Sequence, residues 1–124
     1  SGLPVTSATF FAGEFATAHL HASSALRFVM EGKGAYTVVD GHRMDLGAGD
    51  FVITPNGTWH DHGVEADGAT TSWQDGLDML LVNQLDANFY AVHPDGVQKS
   101  NYPLNDTATG MLKEAGVDLV KLKL

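Results

Sequence analysis

Four histidines occur as two pairs, His19 with His21 and His60 with His62, each spaced i, i+2. Successive residues of a β-strand point to opposite faces, so each pair sets both rings on one face of its strand. If the two strands meet inside one barrel, up to four imidazoles converge. Such a set suits Zn, Cu, Fe or Ni. The chain has no cysteine, which excludes disulfides and thiolate sites and leaves His, Asp, Glu and backbone oxygen as metal donors. A lone His-x-His reads as two surface residues of an edge strand. A second one, preceded by its own Pro55-x-Gly57 turn, makes accident a poor account of both.

The elements that must position these pairs are strands. Fourteen glycines in 124 residues separate short β-branched and aromatic runs, the pattern of a turn-dense all-β domain. Strands are expected at Ala8–Phe11, Glu14–His21, Leu26–Glu31, Ala35–Val39, around His42–Met44 and at Phe51–Thr54. Gly32-Lys33-Gly34 reads as a hairpin turn, and Asp40-Gly41 as a two-residue turn with positive φ. Pro55 stops one strand, and Asn56-Gly57 leads into the strand with Trp59 to His62. Gly63 to Gly68 reads as a polar loop and Thr71 to Val82 as the longest strand. From Asp106, Ala108, Met111, Leu112 and Ala115 have helical spacing, with Gly116 at the end. Val117 to Leu124 reads as a last strand or an ordered tail. Seven to nine short strands joined by tight turns make a sandwich or barrel.

Composition narrows the function class. Seven basic and 15 acidic residues give a net charge of −8, which argues against nucleic-acid or anionic-membrane partners. No stretch is long and apolar enough for a transmembrane helix. No signal peptide is visible, and a cytoplasmic location is expected. Ser1-Gly2 without a Met reads as a cloning scar or the cut end of a longer chain.

Three further polar side chains fall beside the histidines. His62 shares a strand face with His60 and is a fourth ligand, a group near the metal or a structural histidine. Arg27 lies among Leu26, Phe28, Val29 and Met30. Its planar fork can clamp a carboxylate, or it alternates outward to solvent. Asp75 shares parity with Trp73, Leu77, Met79 and Leu81. An inward carboxylate needs a partner, for which His62, a ligand N–H and Arg27 are candidates. A bulge at Gly76 is the alternative, freeing Asp75 to solvent. Asp61 and Asp78 have the opposite parity and are expected in solvent, as are His42 and His93 in their turns.

The spacing carries a resemblance. Gly13, five residues, His19, one residue, His21 is similar to the first half of cupin motif one. Gly49, five residues, Pro55, one residue, Gly57, two residues, His60 is similar to motif two. Ala25 and Leu26 stand where cupins often carry a Glu ligand, and Val64 where they often carry Asn. That departure, with Ala18–His21, Ser24–Phe28, Glu31–Thr37, Asp50–Pro55, Thr58–Gly63, Trp73–Asp78 and Leu85–Tyr90, resembles the iron-binding N-terminal cupin of the gentisate 1,2-dioxygenase family. Salicylate and 1-hydroxy-2-naphthoate dioxygenases share these motifs.

The resemblance implies an all-β cupin, a double-stranded β-helix or jelly-roll barrel. It implies a non-haem Fe(II) cofactor on His19, His21 and His60, and an extradiol-type dioxygenase acting on a hydroxylated aromatic acid with O2. It makes Arg27, His62 and Asp75 catalytic groups, and Arg27, His62 and Trp59 substrate contacts. Ligand chemistry alone leaves Fe and Zn both open. Residues 1–90 are expected to form the barrel core. Residues 91–124 form an extension that packs on it or links to a second cupin, since the family is usually a two-cupin chain. A homo-oligomer is expected. A non-catalytic metal- or small-molecule-binding cupin is the alternative, and a zinc isomerase or hydrolase a third reading.

Overall fold

The computed structural model describes residues 4–101. Seven strands form one curled antiparallel sheet: β1 (Val5–Phe10), β2 (Phe15–His21), β3 (Ala25–Val39), β4 (His42–Leu46), β5 (Phe51–Thr54), β6 (His60–Leu77) and β7 (Tyr90–Val92). The described residues include one helix, α1 (Met79–Gln84), and no helix among them is long and apolar enough to cross a membrane.

Two long strands make the spine. β3 and β6 pair along their length, from Ala25 opposite Leu77 to Val39 opposite His60. β5 and β1 flank one half of this ribbon, and β4 and β2 flank the other, with β7 added outside β2. The alternating burial of Ala25–Val29 puts Ala25, Arg27 and Val29 inward and Leu26 and Phe28 outward. Val29 and Trp73 from one half pack with Ala35, Leu46 and Val64 from the other. Ala8, Phe10 and Val52 complete the cluster, so the halves close face to face. This is the jelly-roll barrel that the residue pattern and the resemblance imply.

Asp40-Gly41 turns as expected, with φ of 46° and 84°. Three expectations are corrected. Gly32-Lys33-Gly34 does not reverse the chain; it lies within continuous β3, where the β3–β6 register shifts. Its glycine serves close approach instead, since a Cβ on Gly32 would fall 2.1 Å from the Thr71 hydroxyl oxygen. Gly63 to Gly68 is not a loop, because the same segment of β6 pairs with the bent part of β3. The strand expected to reach Val82 stops at Leu77. Asp78 there accepts hydrogen bonds from the Ser24 N–H at 2.8 Å and its hydroxyl at 2.9 Å, which turns the chain into α1. The Met-Leu-Leu run then forms a helix, as its straight-chain and γ-branched residues favour. The helix expected from Asp106 and the segment Val117–Leu124 lie outside the described residues.

Candidate metal centre

β2 brings His19 and His21 to the barrel, and β6 brings His60 and His62. His19 and His60 are direct partners across the β2–β6 ladder, which shifts register between Ala16 and His19. Such irregularities re-aim side chains beside sites. His19, His21 and His60 each offer a ring nitrogen, and the three lie within 4.8 Å of one another.

One nitrogen of each ring, Nδ1, is tied down. His19 Nδ1 lies 2.7 Å from the Thr17 carbonyl, His21 Nδ1 2.8 Å from the Ser23 carbonyl, and His60 Nδ1 3.0 Å from the Thr58 carbonyl. A carbonyl only accepts, so each Nδ1 carries the proton and each Nε2 keeps its lone pair. That is the tautomer a metal requires. Burial pushes His60 down to about 4, with His19, His21 and Arg27 adding to the effect against the Thr58 hydrogen bond. A histidine kept neutral holds its lone pair available without competition from protons. The donor set and its tautomers therefore fit a borderline divalent metal.

His62 stands apart from this trio. Its ring centroid is 6.2 Å from that of His60 and 6.3 Å from that of His19. Phe10 meets it edge to face at 5.7 Å and Trp73 at 5.5 Å. Its Nδ1 is buried and has no hydrogen-bond partner. Burial first, then the charge of Arg27, holds the ring well below its ordinary pKa. It is thus a neutral imidazole with an unmet polar atom.

Arg27 and Asp75 both point inward, and their ladder positions face each other across β3 and β6. Arg27 Nε donates to Asp75 Oδ1 at 2.8 Å, and Nη2 donates to Oδ2 at 3.1 Å. The guanidinium carbon lies 4.6 Å from the Trp73 ring centroid, and Trp73 Nε1 donates to Asp75 Oδ2 at 3.1 Å. The partner of Asp75 is therefore Arg27, with Trp73 in support. No bulge frees Asp75, because the β1–β6 ladder runs unbroken through Thr6–Asp75 and Val5–Gly76. Two of Arg27's five N–H donors are taken by Asp75, in a residue that is 5% exposed.

Trp59 begins the turn into β6, and its ring meets His93 edge to face at 4.9 Å. Its backbone N–H donates to Asp40 Oδ1 at 2.9 Å. Two expectations of solvent exposure are corrected. Asp61 is buried and accepts the Gln98 N–H at 2.9 Å, because the chain after β7 folds over this edge of the barrel. Asp78 is half-buried against Ser24. His42 and His93 lie at the surface, each partly covered, His93 through its contact with Trp59.

Three residues at the site were not singled out from sequence. Trp73 stacks on Phe10 at 4.8 Å and holds the Arg27–Asp75 pair. Its spacing of two from Asp75 is a signal for that role. Phe10 borders His62 and carries no comparable signal. Tyr90 stacks on His19 at 5.6 Å from a three-residue strand too short for any periodicity.

A model of the cupin domain matches residues 8–78. Gentisate 1,2-dioxygenase 1 of Aquipseudomonas alcaligenes is 44% identical over 95 residues, 77% of this chain and 27% of that protein. A 1-hydroxy-2-naphthoate 1,2-dioxygenase of Nocardioides sp. is 44% identical over 87 residues, 69% of this chain and 22% of that protein. A salicylate 1,2-dioxygenase variant of Pseudoaminobacter salicylatoxidans in complex with gentisate superposes with a TM-score of 0.74 at 32% identity. It covers 83% of this chain and 28% of that one. The chain spans about a quarter of the length of the curated relatives it matches. The matched region runs from β1 through β6 and encloses both histidine pairs, Arg27 and Asp75; the chain belongs to the cupin domain family, in the group that resembles the gentisate 1,2-dioxygenases.

Proposed function

We propose that this chain is the metal-binding cupin of a ring-cleaving, extradiol-type dioxygenase for a hydroxylated aromatic acid. The observation that carries the reading is the convergence of His19, His21 and His60 with every Nδ1 tied to a backbone carbonyl. Three neutral imidazoles on one side of a metal leave open positions and a net positive charge, which favour an anionic chelating ligand. In this reading His19, His21 and His60 would hold Fe(II), which would supply open positions for the acid and O2 and a redox-active centre between them.

The chain's own residues do the rest. Arg27 offers its remaining N–H donors to the carboxylate of the acid, in a water-poor setting that strengthens the pairing. Asp75 and Trp73 hold the guanidinium plane in one orientation, so little side-chain entropy is lost on binding. His62, neutral and with a free polar atom, hydrogen-bonds the substrate hydroxyl or the oxygen and can hold a proton there. Phe10 and Trp73 wall that region with aromatic surface, excluding water from it. Trp59, which precedes His60 in the chain and packs on His93, is taken in this reading as a further substrate contact. Gentisate, salicylate and 1-hydroxy-2-naphthoate, named for the relatives, define the substrate class to try.

The test is anaerobic purification with metal analysis, followed by O2 uptake with gentisate, salicylate and related acids. Stoichiometric iron and uptake with one of these acids support the proposal. Iron without uptake across the whole panel would leave a metal-binding module and sink the enzymatic reading for this chain.

A further inference from the structure

His19 and His60 each rest Nδ1 on the carbonyl two residues earlier, Thr17 and Thr58. His21 differs. It reaches forward, to the Ser23 carbonyl at 2.8 Å and the Ser23 hydroxyl oxygen at 3.1 Å. Ser23 lies in the loop 22–24, which joins β2 to β3 and belongs to neither strand. Ala22 and Ser23 are buried, so the backbone here needs partners. The start of the loop has two: the Gly57 N–H donates to the His21 carbonyl at 2.9 Å, and the Ala22 N–H to the Phe89 carbonyl at 3.1 Å. Its end, the step before β3 enters the ladder at Ala25, is held by one side chain. The Ser24 N–H donates to Asp78 Oδ1 at 2.8 Å, and the Ser24 hydroxyl to Oδ2 at 2.9 Å.

Asp78 makes this contact in place of another. It is the N-cap of α1, where a carboxylate ordinarily accepts from the free N–H groups of the first turn. Its side chain accepts none of them, and both oxygens go to Ser24, 54 residues back in the chain. The carboxylate serves the loop rather than the helix.

We propose that Asp78 is a positioning residue for His21, acting through the peptide between Ser23 and Ser24. This rests on the reading of His19, His21 and His60 as metal ligands. The Ser24 N–H and the Ser23 carbonyl belong to one planar peptide unit, on opposite sides of it. Asp78 Oδ1 grips the N–H, and the carbonyl receives the His21 Nδ1 proton. Fixing one end of that plane fixes the other, and with it the His21 ring. The carboxylate also polarises the amide, because hydrogen bonds in a chain strengthen one another. The carbonyl becomes a better acceptor, and Nε2 of His21 a better donor to a metal. Of the three ligands, His21 alone is tied in this way to a side chain on another element.

Histidine 15N spectra of the metal-free chain give a readout that needs no metal. A slowly exchanging Nδ1–H signal is expected for His21, assigned by its absence in His21→Ala. Asp78→Ala is expected to lose that signal while those of His19 and His60 remain. Titration with Co(II) against a chelating indicator reads the metal. Asp78→Ala is expected to weaken binding by roughly 10-fold, the lower end for loss of a group that orients a ligand. Asp78→Asn keeps an oxygen for the Ser24 N–H and is expected to recover the signal and most of the affinity. Val82→Ala thins the buried side of α1 and leaves Ser24 alone. It is expected to lower the melting temperature without changing the His21 signal or the Co(II) affinity. An unaltered His21 signal in Asp78→Ala overturns the proposal. So does Asp78→Asn behaving as Asp78→Ala, or Val82→Ala losing as much affinity. Where circular dichroism shows that Asp78→Ala does not fold, Ser24→Ala takes its place. It removes one of the two hydrogen bonds, so faster exchange at His21 Nδ1 is expected and unaltered exchange overturns the proposal. A parent chain that takes up no Co(II) sinks the metal reading by itself, and the histidine signals still decide whether Asp78 holds His21.

Discussion

At the residue scale, the site separates four chemically identical side chains into two kinds. His19, His21 and His60 have one ring nitrogen held by a carbonyl and the other free to converge; His62 has a buried nitrogen with no partner. His60→Ala is expected to abolish metal binding, measured as metal content after anaerobic purification. His62→Ala is expected to keep the metal and lower turnover by roughly 100-fold; loss of the metal in that variant overturns the ligand assignment. Asp75→Asn leaves the Arg27 charge without its counter-ion. It is expected to cost about 2–3 kcal/mol in denaturant unfolding, less than a fully buried pair because Asp75 is 15% exposed. The pH dependence of the metal-free chain follows from His60. The unfolded chain takes up a proton near the ordinary value of 6.5, and the folded chain only near 4. Stability is therefore full above about 6.5 and declines as pH falls through 4, with His62 acting in the same direction. Melting temperatures across that window read the effect, and an apo chain equally stable at both ends contradicts it.

At the element scale, the sequence reveals strand positions better than strand continuity. The pairs of β2 and β6, the short β5 before Pro55 and the Asp40-Gly41 turn are legible because period-two alternation and positive-φ residues are local signals. The run from Gly63 to Gly68 and the Gly32-Lys33-Gly34 triplet look like turns for the same local reason. They are strand because each lies against the other across the β3–β6 ribbon, a relation between residues far apart in the chain. Arg27 and Asp75 show the same division. Parity brings Asp75 inward with Arg27 as one candidate partner among three, but leaves Arg27 free to alternate outward; only the ladder sets the two inward as partners. Asp61 defeats parity altogether, since its cover comes from Gln98, 37 residues on. The tight crossing yields a prediction. Gly32→Ala sets a Cβ against Thr71 at a φ of 119° and is expected to cost about 3 kcal/mol, read in chemical denaturation. Thr71→Gly in the same chain recovers only part of that loss, because the backbone strain stays.

At the scale of the whole molecule, one closed core serves as the floor of the site. Trp73 is at once the largest fully buried side chain and the plate on which Arg27 lies. A ligand that binds only the folded barrel stabilises all of it. Ferrous ion at about 100 times its dissociation constant is expected to add about 2.7 kcal/mol and raise the melting temperature by several degrees. A chelator reverses the gain, and His60→Ala removes it. Calorimetry with and without the metal checks the prediction.

The β3–β6 ribbon also sets when the site comes into existence. Arg27 and Asp75 are 48 residues apart in the chain, and their pairing waits on the closure of that loop. Chains dominated by such distant pairings fold over milliseconds to seconds, far slower than helical bundles. During synthesis β3 emerges long before β6, so for that interval the β2 histidines have no His60 to complete their set. Metal capture belongs to the final stage of folding, and its rate can be used as a clock for the closing of the barrel.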